Sequence, residues 1–259
     1  MPIDFHDEQN RFTYTTRSAN DSWISMIQEN VDVSGKYVAD IGCGGGIYTQ
    51  ALAQMGAVQV IGVDFSEEML KGASASCKSI QHITFLQGNA YDTHLPDHKF
   101  DLVLERALIH HLNDLGACFR EAHRILKPGG TLIIQDRTPQ DCTLPGSEHH
   151  LRGFFFEKFP RLIELEVNRR YDANQVQQTM EASGFKLDQT ISLWETRRVY
   201  ENMESLKEDL MSRTGRSLLH ELSGEELQEL VEYVERKLEP VQNPIVEKDL
   251  WTVWFGVKC

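Results

Sequence analysis

The stretch VADIGCGGGIYTQAL, residues 38–52, passes from an apolar strand through four glycines in five positions into a helix, with almost no gap between them. A glycine turn at such a junction lets the backbone take positive φ and approach a ligand closely. The helix behind it offers N–H groups that have no intrahelical partner. The dinucleotide fingerprint G-x-G-x-x-G beginning at Gly42 needs a glycine at position 47, where Ile47 stands. The residues present, Gly42, Gly44 and Gly46, write G-x-G-x-G instead.

On both sides of this turn, short β-rich apolar runs alternate with helical patterns. YVADI (37–41), VQVIGVD (58–64), HITFLQG (82–88), FDLVLE (100–105) and TLIIQD (131–136) read as strands, and 46–55, 66–78 and 113–126 as helices. Near-continuous apolar strands separated by helices predict an α/β fold, a mostly parallel sheet covered on both faces. Ser66 is placed as an N-cap ahead of Glu67 and Glu68, and LKPGG (126–130) as the turn that ends the fourth helix. After 136 the rhythm breaks into a polar, proline-containing and then aromatic segment, which defines an insertion over about 137–172. A helix over 174–183, ended by Gly184, and a strand over 185–194 resume the alternation. A second insertion, about 195–245, reads as wholly helical, with Ser223 and Glu226 at capping-box spacing, and LWTVWFGVK (250–258) is the last strand.

The chain has 259 residues, with 39 acidic against 26 basic side chains and a formal net charge of −13. Such a field repels nucleic acid phosphates and anionic membranes, and favours small or cationic partners. The five cysteines are odd in number and scattered, without C-x-x-C, and read as reduced thiols of a cytoplasmic protein. The sequence carries neither a run long and apolar enough to span a membrane nor a lipidation signal, and it predicts neither export nor membrane insertion.

The G-x-G-x-G turn preceded by Asp40, with Asp64 at the tip of VIGVD 22 residues past Gly42, resembles the class I S-adenosylmethionine-dependent methyltransferases. LQGNAYDTHLP (86–96) is similar to that family's third-strand motif, FDLVLERALIHHL to its fourth and ILKPGGTLIIQD to its fifth. The resemblance covers about residues 10–136 and the last strands, while the two insertions carry no family signature. It implies a Rossmann-like, seven-stranded sheet in a single domain over 1–259, with a lead-in helix at 10–30 and the insertions forming a helical lid over the substrate. Within the family the chain looks like the small-molecule members related to ubiquinone and menaquinone biosynthesis enzymes. S-adenosyl-L-methionine is the implied cofactor and S-adenosyl-L-homocysteine its product.

The resemblance carries the cofactor residues over position by position. Gly42, Gly44 and Gly46 approach the cofactor behind Asp40, and Asp64 accepts from the ribose hydroxyls. Phe65 either stacks on adenine or packs in the core, and Asn89, where the family carries an acid, reads adenine beside Ala90. Arg106 of ERAL lies at the end of the fourth strand, and in the lead-in segment either Arg17 pairs with the methionine carboxylate while Tyr14 closes the pocket, or Arg17 is a surface residue of an amphipathic helix anchored by Trp23 and Ile27. His110 and His111 are candidates for a general base, not separable by sequence, with a structural role as the alternative. His149 and His150 lack a third ligand, so no metal site is expected. Arg197, Arg198, Arg213 and Arg216 either hold an anionic substrate or line a solvated helical face, and the aromatics of GFFFEKFP (153–160) and LWETRRVY (193–200) form either a lid or a core.

The family's signature of exocyclic amino-group methylators is absent after the fourth strand, which turns the expectation to a small organic acceptor methylated at O, N or C by a monomer or homodimer. Two rivals stand beside it. One is a non-catalytic S-adenosylmethionine-binding protein or partner subunit. The other is a nicotinamide-dependent oxidoreductase, which Ile47 argues against.

Overall fold

The computed structural model describes residues 18–259 apart from 214, 240 and 242. In chain order its first half contains α1 (Asp21–Asn30), β1 (Tyr37–Ile41), α2 (Ile47–Gln54), β2 (Gln59–Asp64), α3 (Glu67–Ser76), β3 (Ile83–Gln87), β4 (Phe100–Arg106), α4 (Leu115–Ile125) and β5 (Leu126–Asp136). There follow α5 (Pro139–Cys142), α6 (Arg152–Lys158), α7 (Arg161–Val167), α8 (Ala173–Ala182), β6 (Phe185–Tyr200), α9 (Met203–Met211), α10 (Gly224–Leu238) and β7 (Ile245–Lys258). The described residues divide into two compact units, one built on 18–136 with 171–193 and 252–259, the other on 137–170 and 194–251.

The first unit holds the sheet, whose strand order is β3-β2-β1-β4-β5-β7-β6. β1 pairs in parallel with β2 on one side and β4 on the other, so the order reverses at β1. β2–β3 and β4–β5 are also parallel, and β7 runs antiparallel to β5. Val38, Ala39 and Ile41 of β1 and Leu102, Val103 and Leu104 of β4 are all buried, as strands covered on both faces require. Ligands of open α/β sheets bind outside the carboxyl ends of the strands at such a reversal. The glycine turn leaves β1 at that place.

The helices of this unit start where side chains can satisfy their free N–H groups. Asn20 Oδ1 accepts from Ser22 N at 3.0 Å for α1, Ser66 Oγ from Met69 N at 3.2 Å for α3, and Asp114 Oδ1 from Ala117 N at 2.9 Å for α4. The LKPGG turn is not a gap between helix and strand. Phe100 pairs with Leu126 and Leu102 with Thr131, so residues 127–130 ride as an irregularity inside the β4–β5 ladder.

The second unit contains the helices of both insertions. Its core gathers Phe154, Phe155 and Phe156 of α6, Leu162 of α7, Leu206 and Leu210 of α9, and Leu230 and Val234 of α10. The GFFFEKFP aromatics are therefore core residues of this unit. In α10 the capping box is complete: Ser223 Oγ accepts from Glu226 N at 3.1 Å, and Glu226 Oε2 accepts from Ser223 N at 2.9 Å. The second insertion is not wholly helical, since β6 runs on to Tyr200 and β7 begins at Ile245. In these extensions the buried alternate positions hold Glu195, Glu247 and Asp249, so a period-two pattern is present but written partly in charged residues.

Candidate functional site

The turn after β1 is fastened to β2, because Gly42 N and Cys43 N both donate to Val63 O, at 2.8 and 3.0 Å. Gly42, Gly44 and Gly46 all have positive φ, +73°, +50° and +78°. What surrounds them differs. A Cβ on Gly46 would lie 3.0 Å from Phe85 and 3.1 Å from Ala73, and one on Gly42 would lie 2.9 Å from Leu108, whereas one on Gly44 meets no atom within 4 Å. Two of the glycines make room for the protein itself. Gly44 is bare toward open space.

Asp64, at the end of β2, links the two neighbouring loops. Its Oδ2 accepts from Gly44 N at 2.9 Å and its Oδ1 from Ser66 N at 2.9 Å. A carboxylate offers about four acceptor sites, which makes the residue type suited to accepting from ligand hydroxyls as well as from backbone N–H groups. Phe65, next in the chain, is 49% exposed, which removes the core-packing alternative. Asp40 lies behind the turn, buried, and accepts from Thr49 Oγ1 of α2 at 2.5 Å. Burial pushes its carboxyl up to about 6, Asp64 adds to the rise, and Thr49 and Arg106 oppose it. Asp40 thus braces α2 against β1.

Beyond β3, Gly88 N donates to Asp64 O at 3.1 Å, which keeps the next loop beside the Asp64 carboxylate. Asn89 opens that loop, and its Oδ1 accepts from Tyr91 N at 2.8 Å and Asp92 N at 3.0 Å. Ala90 is buried. Arg106 ends β4 with its guanidinium 4.0 Å from the centre of the Tyr48 ring, which in turn meets the Trp23 ring edge-on at 4.7 Å. Tyr14 and Arg17 lie outside the described residues.

Ala107 follows with φ +51°, a left-handed residue without glycine's freedom, and the chain then makes a short 3-10 turn over Ile109–His111. This turn separates the two histidines that the sequence leaves equivalent. His110 Nδ1 stands 2.8 and 3.0 Å from the two oxygens of Asp136, and its backbone N donates to the same carboxylate at 3.3 Å. Asp136 is buried at the end of β5. A carboxylate only accepts, so Nδ1 carries the proton and Nε2 of neutral His110 is left as an acceptor. The sequence reading passed over Asp136, although an acid ending a strand whose neighbour leads into a histidine is a signal it contained.

Beside Glu105, buried in β4, Cys118 Sγ donates to Oε1 at 3.3 Å, and burial pushes the carboxyl up to about 7. In the helical unit, Arg197 Nη1 and Arg216 Nη2 donate to Glu247 Oε2 at 2.9 and 2.6 Å. Arg198 and Arg216 also pair with Asp209. Arg197 and Arg216 therefore belong to a buried ion network instead of a solvated face. His150 is buried with Nδ1 3.3 Å from Pro145 O, and among the described residues no group of three metal-ligating side chains gathers.

Residues 39–134 match the family described as Methyltransferase domain. The chain is 34% identical over 154 residues to a ubiquinone biosynthesis O-methyltransferase of Pseudomonas entomophila, an overlap that takes in 55% of this chain and 66% of the relative. It is also 34% identical over 133 residues to a demethylmenaquinone methyltransferase of Tropheryma whipplei, covering 51% and 53%. The chain thus spans from about half to just under two thirds of the length of these relatives. The fold is similar to that of phosphoethanolamine N-methyltransferase 2 of Haemonchus contortus, solved in complex with S-adenosyl-L-methionine, with a TM-score of 0.59 at 20% identity over 99% of this chain and 60% of that one.

Proposed function

We propose that this chain, which carries a class I S-adenosylmethionine-dependent methyltransferase domain over residues 39–134, transfers a methyl group to a small organic molecule. The observation that carries the reading is the Asp64 carboxylate bonded to Gly44 N at 2.9 Å where the strand order reverses, beside a glycine whose missing Cβ leaves open space. A turn and carboxylate so arranged fit a nucleoside that brings two hydroxyls to Asp64 and lies against bare backbone. When bound, S-adenosylmethionine supplies a methyl group on a sulfonium whose thioether leaves without protonation. The protein's task is to align the acceptor atom, exclude water and take up a proton where the acceptor must lose one. His110 is the group we assign to that last step. Where the acceptor carries an O–H or N–H proton that must be lost, His110 Nε2 would take it up, while Asp136 holds the imidazole by Nδ1 and stabilises the imidazolium.

The acceptor class rests on the net charge of −13, which opposes nucleic acid and anionic membrane surfaces. Among the described residues no helix is long and apolar enough to cross a membrane. The test is incubation of the purified chain with methyl-labelled S-adenosylmethionine and an extract of metabolites and proteins, followed by partition of the label. Asp64→Ala serves as the blank, because removing the acceptor of two hydroxyls costs cofactor binding about 1–3 kcal/mol. Label in the small-molecule fraction is the expected result. Label confined to the protein pellet overturns the acceptor class, and cofactor binding without transfer to any fraction overturns catalysis.

A further inference from the structure

The turn that carries His110 is fixed at its start by β5. Ala107 N donates to Gln135 O at 2.8 Å, and His110 N donates to Asp136 Oδ2 at 3.3 Å. Within the turn, His111 N and Leu112 N donate back to Leu108 O and Ile109 O at 2.9 and 3.0 Å. Its far end is held differently. α4 begins only at Leu115, and Cys118 N closes the first helical bond on Asp114 O, so the Leu112 carbonyl lies outside the helix's own ladder.

Two tyrosines reach this end from distant parts of the chain. Tyr171, just ahead of α8, donates from Oη to Leu112 O at 2.6 Å. Tyr91, in the loop after β3, accepts at Oη from Asn113 N at 3.1 Å and from Asp114 N at 3.3 Å. The two phenols thus hold three successive residues, and they do so unequally. Tyr91 is 41% exposed, so water can take the place of its hydroxyl. Tyr171 is half-buried, and its ring, like the side chains of Leu108 and Leu112, packs against the core of the sheet unit. Burial raises its phenol above the ordinary range, which keeps it protonated and able to donate. Its bond is the shorter one, and it lies two residues from His110.

We infer that Tyr171 is a positioning residue for His110, whose hydroxyl clamps the Leu112 carbonyl and so keeps the turn, with the imidazole on it, seated on Asp136. The backbone bonds to β5 hold the start of the turn without this clamp. The imidazole needs more, because its Nδ1 bond to Asp136 survives only while the ring keeps its place. A displacement of about 1 Å at a reacting group can cost about 10²-fold in rate, and loss of one bond among several is assigned about tenfold. The inference rests on the reading of His110 as the proton acceptor.

Tyr171→Phe removes the hydroxyl and leaves the ring in the core, and two measurements on the full chain test the clamp. In the first, nitrogen-15-labelled histidine side chains report how fast the His110 Nδ1–H exchanges with water, the signal being assigned by its loss in His110→Gln. Exchange is expected to be about fivefold faster or more in Tyr171→Phe, with a melting temperature lowered by no more than the ~2–4 °C that one lost hydrogen bond explains. In the second, transfer from methyl-labelled S-adenosylmethionine to the small-molecule fraction of the extract is followed at saturating cofactor. Tyr171→Phe is expected to lower the rate about tenfold with the KM for S-adenosylmethionine unchanged, and to cost nothing further when His110 is already Gln. A merely structural tyrosine would lower the rate by the same factor with or without the imidazole. Equal exchange in the two proteins, or an equal loss in both backgrounds, overturns the role of Tyr171 and leaves His110 standing. A wild type that transfers no methyl group overturns the functional reading instead, and the ring exchange then decides the clamp by itself.

Discussion

At the scale of single residues, the acceptor side of the site turns on which nitrogen of His110 is free. Asp136, 2.8 Å from Nδ1, fixes the tautomer; the strand ending QD signals an acid near the histidines, but the spacing HH does not say which of the two it meets. A general base positioned in this way contributes about 10²–10⁴-fold. His110→Gln is therefore expected to lower the rate of label transfer to the small-molecule fraction by that factor, with S-adenosylhomocysteine affinity unchanged. His110→Ala should recover part of its rate in added imidazole. For Asp136→Asn the expected signature is a fall in kcat with KM and cofactor affinity retained, since the imidazole stays in place but loses the partner that holds its proton. A fall confined to KM, or no rescue of His110→Ala, would make the pair structural and reopen the case for His111.

At the scale of elements, the glycine turn shows what sequence can and cannot separate. Its spacing identified the turn and the strand and helix around it, because positive φ and close approach leave few residue types other than glycine. It did not distinguish the glycine that faces open space from the two that face Leu108, or Phe85 and Ala73, since those contacts come from elements distant in the chain. Gly44→Ala is thus expected to weaken S-adenosylhomocysteine binding strongly and to lower the unfolding free energy by little more than the strain of a left-handed alanine, about 1–2 kcal/mol. Gly46→Ala adds a clash with Phe85 and Ala73 and should lose more stability than affinity. Equal losses in both measurements for both variants would show that the turn acts as one packed unit without a ligand face. The same limit explains the strand extensions. All seven strands are legible in the sequence, yet the extensions 195–200 and 245–249 are not, because several of their buried positions hold charges that become intelligible only once Arg197 and Arg216 are seen beside Glu247.

For the whole molecule, the most strongly shifted buried carboxyls divide between the two units with opposite signs. In the sheet unit, burial raises Asp40 from its ordinary 3.8 to about 6 and Glu105 from 4.5 to about 7. A carboxyl raised on folding contributes stability below its unfolded pKa and loses it as pH rises through the folded one, a change of about 3 kcal/mol for each of these two groups. Asp101, Glu121 and His123 are shifted downward and pull the other way, by smaller amounts. In the helical unit, Glu166 and Asp249 are held far below the usual carboxylate range, against burial, by Arg152 and Arg137, joined at Glu166 by Arg170. Burial also lowers His150. Groups lowered on folding contribute stability above their unfolded pKa and lose it as pH falls, for the carboxylates from about pH 5 downward. Acid should therefore loosen residues 137–170 and 194–251 first, while Asp40 and Glu105 gain their neutral, folded-state preference. Hydrogen exchange, corrected for the intrinsic pH dependence of the amide, checks this between pH 7.5 and pH 4. Protection is expected to fall in α6, α7, α9 and α10 while β1 and β4 keep theirs. In Glu105→Gln the sheet should gain stability at pH 7.5 relative to the wild type, because the cost of ionising a buried carboxyl is gone. Uniform loss of protection across both units on acidification would mean that the arginine networks do not set the helical unit's stability, and that the chain unfolds as one cooperative whole.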